Sequence, residues 1–140
     1  NSKDSLHALE ELFSSNKAIF IFPAGLVSRR INKKVEDLEW KKTFISRAKK
    51  YNKTVVPVHL DGELSKFFYN LANFRTKLGI KMNIEMLYLA DELYKQKNTT
   101  IRITYGEPIP ASHFNQSKKD IEWAQWVKKQ VYLLKDKEKN

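Results

Sequence analysis

The sequence predicts an α/β domain, a layered sheet flanked by helices. Two observations carry this: strand-length apolar runs, Ala18 to Phe22 and Thr54 to Val58, alternate with stretches whose apolar residues recur at spacings of three and four. The length of 140 residues fits one domain spanning 1–140.

The elements follow in chain order. Leu6, Leu9, Leu12 and Phe13 lie on one helical face, which predicts an amphipathic helix over about Lys3 to Ser14. Lys17 to Pro23 is a short apolar run bounded by Asn16 before it and Pro23 and Gly25 after it, the pattern of a buried strand. Leu26 to Asp37 is polar and aperiodic and reads as a loop beyond that strand. Trp40, Phe44, Ile45 and Ala48 mark a second helix with lysines and Arg47 on its other side. Thr54 to Leu60 is a second apolar strand, in which Pro57 requires a strand end or an unpaired position. A helix from Leu64 to Arg75, ending near Gly79, is apolar over more than one face. Ile84 to Tyr94 gives a further helical segment, Thr99 to Tyr105 alternates as a third strand, and Gly106 to Pro110 breaks it. Ser117 with Asp120 and Glu122 opens a last helix reaching about Lys135, leaving 136–140 as a frayed tail.

Composition removes whole classes of function. There is no cysteine, so disulfide scaffolds, thiolate metal sites and cysteine nucleophiles are excluded. No run reaches the roughly 18–20 apolar residues of a membrane-spanning helix. The first residues do not form a signal peptide and no initiator Met is present, so the chain is expected to be a piece of something longer. The formal charge is +10, from 26 basic and 16 acidic residues. Its densest stretch, Arg29 to Lys53, implies an anionic partner: nucleic acid, acidic lipid or a phosphorylated small molecule.

The segment Phe20 to Arg30 concentrates the chemistry. A strand ends at Pro23-Ala24-Gly25 and then presents Ser28, Arg29 and Arg30 at the sheet edge where open α/β folds hold ligands. Gly25 permits close backbone approach, and an arginine can bind an oxyanion with two parallel hydrogen bonds. His7, His59 and His113 lack spacing for a metal site and read as structural or solvated side chains. Lys66 to Arg75 combines aromatic bulk with cations; it reads as a core helix with charged ends, the alternative being a helix lying in an anionic membrane surface.

On these motifs the sequence resembles the glycerolipid acyltransferase superfamily, which includes lysophosphatidic acid acyltransferases, and within it a bacterial branch labelled hemolysin. Phe22-Pro23-Ala24-Gly25 resembles the family's Phe-Pro-Glu-Gly acceptor-binding block, with Ser28 and Arg29 matching residues that follow it. Val56-Pro57-Val58 resembles its Val-Pro-Val block, and the Trp40 helix and Gly106-Glu107-Pro108-Ile109 extend the likeness over about Lys17 to Leu134. Ala24 stands in place of the family glutamate and Val27 in place of an arginine. The family's catalytic block, His followed five positions later by Asp, is absent: His7, His59 and His113 are followed at that distance by Leu12, Leu64 and Lys118.

The resemblance implies the C-terminal half of a glycerolipid-acyltransferase-like fold. The parent enzyme would transfer an acyl chain from acyl-CoA or acyl carrier protein to the hydroxyl of a lysophospholipid or lyso-amino-acid lipid. It implies an acceptor site at Phe22, Pro23, Ala24, Gly25, Ser28, Arg29, Arg30 and Pro57, no catalytic residue on this chain, no metal and no cofactor. The expected place is cytoplasmic, peripheral on the inner face of the bacterial membrane, with anionic lipid contact and no nucleic acid. The alternative is a non-enzymatic basic module binding nucleic acid or an anionic membrane. A pore-forming hemolysin has no membrane-spanning series to support it.

Overall fold

The structure, a computed structural model, describes residues 2–31, 34–62 and 64–137. Its helices are α1 (Ser2–Ser14), α2 (Thr43–Lys50), α3 (Lys66–Lys77), α4 (Leu89–Lys95) and α5 (Asp120–Lys137). Short 3-10 turns at Ile84–Tyr88 and Ala111–His113 precede α4 and α5. Strands β1 (Arg29–Ile31) and β2 (Lys34–Glu36) form one antiparallel pair, and β3 (Val58–Asp61) and β4 (Arg102–Tyr105) another. The class is α/β, with its sheet reduced to these two ladders.

The core lies between α2 and α5. Trp40, Phe44 and Ile45 pack with Trp123, Ala124, Val127 and Val131, and Ile109 and Phe114 close one side. These are the apolar faces that the helical spacing indicated, because a stripe repeating every three to four residues must bury against another stripe. Polar contacts fasten the same helices. Ser46 Oγ and Lys49 Nζ both donate to Asp120, at 2.6 and 2.8 Å, and Lys49 holds that carboxyl below the usual aspartate range. Glu10 on α1 accepts from Arg47, Lys50 and Tyr51.

Pro57 occupies the gap in the β3 side that its missing N–H demands. Val55 bridges Ile109 before it, Val58 pairs with Tyr105 after it, and its carbonyl accepts from Gly106 N at 2.8 Å. A side chain at Gly106 would meet Leu134 at 3.3 Å and Pro57 at 3.4 Å, so it would ask those side chains to shift by a few tenths of an ångström.

Two expectations are corrected. Lys17 to Pro23 is not a buried strand: among the described residues it joins no ladder, and Phe20 and Phe22 are each 72% exposed. An apolar run becomes a strand only beside a neighbour that takes its backbone hydrogen bonds, and both ladders here form elsewhere. Leu26 to Asp37 is not all loop, since β1 and β2 lie within it, with Arg29 directly opposite Glu36. The tail expected at 136–140 begins inside α5, and 138–140 fall outside the described residues.

Candidate functional site

The Pro23-Gly25 segment is a tight turn closed by Gly25 N donating to Phe22 O at 3.1 Å. Gly25 has φ +69°, a conformation glycine adopts without cost. Pro23 O accepts from Lys41 N at 3.0 Å, which ties the turn to the start of α2, and Ala24 packs against the core. Ser28 Oγ donates to Asp37 Oδ1 at 2.5 Å, while Trp40 Nε1 donates to Asp37 Oδ2 at 2.9 Å. Asp37 therefore pins both ends of the loop.

The same residue reaches α5. Its backbone N donates to the Tyr132 hydroxyl at 2.8 Å, and its carbonyl accepts from Lys128 Nζ at 2.6 Å. Burial pushes the Tyr132 phenol above its usual range, and the bond from Asp37 N opposes that in part. With both carboxylate oxygens occupied, Asp37 acts as a brace.

Arg29 points inward. Its Nη2 lies 2.7 Å from Oε1 of Glu85, which is fully buried, and Arg75 Nε lies 2.9 Å from the other Glu85 oxygen. Two guanidinium groups thus share one carboxylate and leave one net positive charge. Arg29 and Arg75 line a pocket of about 240 Å³ together with Asn73, Thr76 and Asn83, and Leu26 and Leu38 supply apolar walls. Arg30 sits over the Tyr69 ring at 5.0 Å, and its carbonyl accepts from Asn73 Nδ2.

Of the sequence-derived residues, Phe22 to Ser28 lie on the loop and Arg29 and Arg30 on β1; Arg29 lines the pocket, and Phe22, Pro23, Ala24, Gly25, Ser28 and Arg30 do not. Pro57 sits beside Gly106, whose N donates to its carbonyl, and is not among the residues lining the pocket. Sequence reasoning missed Asp37, Glu85, Arg75 and Tyr132. One sign of Glu85 was available, a carboxylate between Ile84 and Met86 in an otherwise apolar segment.

The histidines do not assemble a base. His59 is buried with Nδ1 lacking a partner among the described residues, and its ring meets Tyr132 at 6.5 Å. His113 lies against the Trp123 and Trp126 rings. Among the described residues no group of His, Asp and Glu could hold a metal ion, and no helix is long and apolar enough to cross a membrane.

Comparison with known families decides the class. The family described as Acyltransferase matches residues 2–139. The chain belongs to this acyltransferase family.

Two curated relatives agree with that assignment. The chain is 50% identical over 133 residues to a lyso-glycine lipid O-acyltransferase of Bacteroides thetaiotaomicron, covering 95% of this chain and 49% of the relative. It is 49% identical over 133 residues to a protein of the same name from Phocaeicola vulgatus, covering 95% and 48%. The acyltransferase chain therefore spans about half the length of the curated relatives it matches. No solved structure matches it.

Proposed function

We propose that this chain is the acceptor-binding portion of an enzyme that acylates the hydroxyl of a lysolipid with an amino-acid head group. The observation that carries the reading is the 50% identity over 133 residues to a lyso-glycine lipid O-acyltransferase. The geometry supports it. A braced turn at Pro23-Gly25 opens beside a pocket whose two arginines are offset by a single glutamate. One net positive charge suits a monoanion, and a glycine joined through its nitrogen carries one carboxylate. A phosphate dianion would be matched less well.

The reaction is attack of the acceptor hydroxyl on an acyl thioester, from acyl-CoA or acyl carrier protein. The hydroxyl needs a general base at the moment of attack. No His here is followed five positions later by Asp, and on this reading the His-Asp pair is supplied by the rest of the enzyme. Arg29 and Arg75 hold the head group, and the Pro23-Gly25 turn leads directly into Leu26 on the cavity wall.

A chimera tests this. The 133 aligned residues of this chain replace their counterparts in the Bacteroides thetaiotaomicron enzyme, and acyl transfer to lyso-glycine lipid is measured. Transfer by the chimera is expected; a folded chimera without transfer refutes the reading. Within it, Arg75→Gln is expected to raise the acceptor KM about tenfold, equivalent to about 1.4 kcal/mol, with the donor KM unchanged.

A further inference from the structure

The face built by α3, the 3-10 turn after it and α4 is apolar on the outside. In α3 the buried residues are Phe68, Tyr69 and Ala72, whereas Phe67, Phe74 and Leu78 are exposed. Positions seven and eleven residues after Phe67 return to its side of the helix, so these three form one stripe away from the core. Gly79, at φ +71°, turns the chain, and Met82, Leu87, Leu93 and Tyr94 follow, all more than 70% exposed. The Phe67 and Tyr88 rings meet edge to face at 5.2 Å, which joins the start of the α3 stripe to the end of the 3-10 turn. The α3 stripe and the end of the 3-10 turn therefore share a surface, and α4 continues directly from that turn.

The exposed charge on this lobe is predominantly positive. Lys66, Lys77, Lys81 and Lys97 are exposed around the apolar residues. Of the acids between 66 and 97, Glu85 is buried against Arg29 and Arg75, and Glu92 is buried against Ser65 and Lys95, leaving Asp91 as the exposed carboxylate. Apolar side chains flanked by lysines, with Tyr88 and Tyr94 exposed among them, match an interfacial lipid-binding face. Lysine is depleted from the cores of protein interfaces, and a second copy packed on the same face would set lysines against lysines.

We propose that this lobe, residues 66–97, docks the protein on an anionic lipid surface, with Phe74, Leu78, Met82, Leu87, Leu93 and Tyr94 entering the head-group region and the lysines meeting lipid phosphates. The proposal does not depend on the acyl-transfer reading, because lipid contact is measured without acyl donor or acceptor.

Flotation of the 140-residue chain with vesicles tests it, comparing phosphatidylcholine alone with an equal mixture of phosphatidylcholine and phosphatidylglycerol. Binding to the mixed vesicles is expected, weakening as salt rises. The double variant Phe74→Ser with Leu87→Ser is expected to lower the partition coefficient at least tenfold. The double variant Lys77→Glu with Lys81→Glu is expected to lower it similarly for the anionic vesicles. These lysines are solvent-exposed, so this second variant keeps the test decisive if the apolar pair unfolds. Leu133→Ser, which removes an exposed apolar group on α5, is expected to bind as wild type, with far-UV circular dichroism recorded for each protein. Equal binding to both vesicle types, unchanged binding by the lysine variant, or loss of binding in the Leu133 variant would overturn the proposal. So would a wild-type dimer, seen by sedimentation, that Phe74→Ser with Leu87→Ser dissolves.

Discussion

Glu85 is the residue on which the candidate pocket turns. It is fully buried and faces two guanidinium groups at 2.7 and 2.9 Å. Removing one member of a buried ion cluster leaves its partners uncompensated, which typically costs about 3–5 kcal/mol. Glu85→Gln is therefore expected to lower unfolding free energy by about that amount, read from urea denaturation; a change within the scatter of surface substitutions would show that the cluster is not strained by loss of its acid. Gly25 makes a smaller demand. Its Cβ position lies 3.4 Å from Lys41 Nζ, the free end of a flexible side chain that can shift, so the cost of Gly25→Ala comes from φ +69°. That strain is about 1–2 kcal/mol, measurable in the same titration. Such residues were only half legible in the sequence. Arg29 stood out beside the turn, but its partner Glu85 is 56 positions away, and the brace from Asp37 to Tyr132 spans 95. Pairings of that range have no local periodicity.

At the scale of elements, the start of α3 is set by Ser65 and Glu92. Ser65 Oγ accepts from Phe68 N, and both its own N and Oγ donate to the Glu92 carboxylate at 2.6 and 2.7 Å. Burial is the largest single influence on Glu92 and raises its pKa, yet the bonds from Lys95 and Ser65 together outweigh it and leave the carboxyl below its ordinary range. A folded-state pKa below the unfolded value stabilises the protein above about pH 4.3 and loses that contribution as pH falls through the folded value. Ser65→Ala is expected to cost about 1 kcal/mol at neutral pH through the lost cap. The gap to wild type should narrow as acid protonates Glu92, and a gap constant from pH 7 to pH 3 would contradict this account. The helices themselves were legible because their signal is local: α1, α2, α3 and α5 lie where spacings of three and four put them. The segment from Lys17 to Pro23 was misread because its apolar residues say only that it avoids water, while strand pairing depends on a neighbour. The β1 and β2 pair was missed because its residues are mostly charged, with Arg29 opposite Glu36 and Ile31 opposite Lys34.

On the scale of the whole molecule, the apolar residues left uncovered include the Phe20 to Phe22 run, the α3 to α4 lobe, and Leu60, Ile103 and Tyr105 on β3 and β4. The chain spans about half of its curated relatives and carries a braced loop; under the proposed function it holds the acceptor, and the general base is supplied from elsewhere in the enzyme. The 140-residue chain alone is therefore expected to consume no acyl thioester in the presence of a lysolipid, and thioester release above the buffer rate would contradict that division of labour. The most direct test of the acceptor assignment offers the chimera equal amounts of lyso-glycine lipid and lysophosphatidic acid with one labelled acyl donor. The predicted result is label chiefly in the glycine lipid, with that selectivity reduced by Arg75→Gln. Label chiefly in the phosphatidic acid, or selectivity indifferent to Arg75, would contradict it.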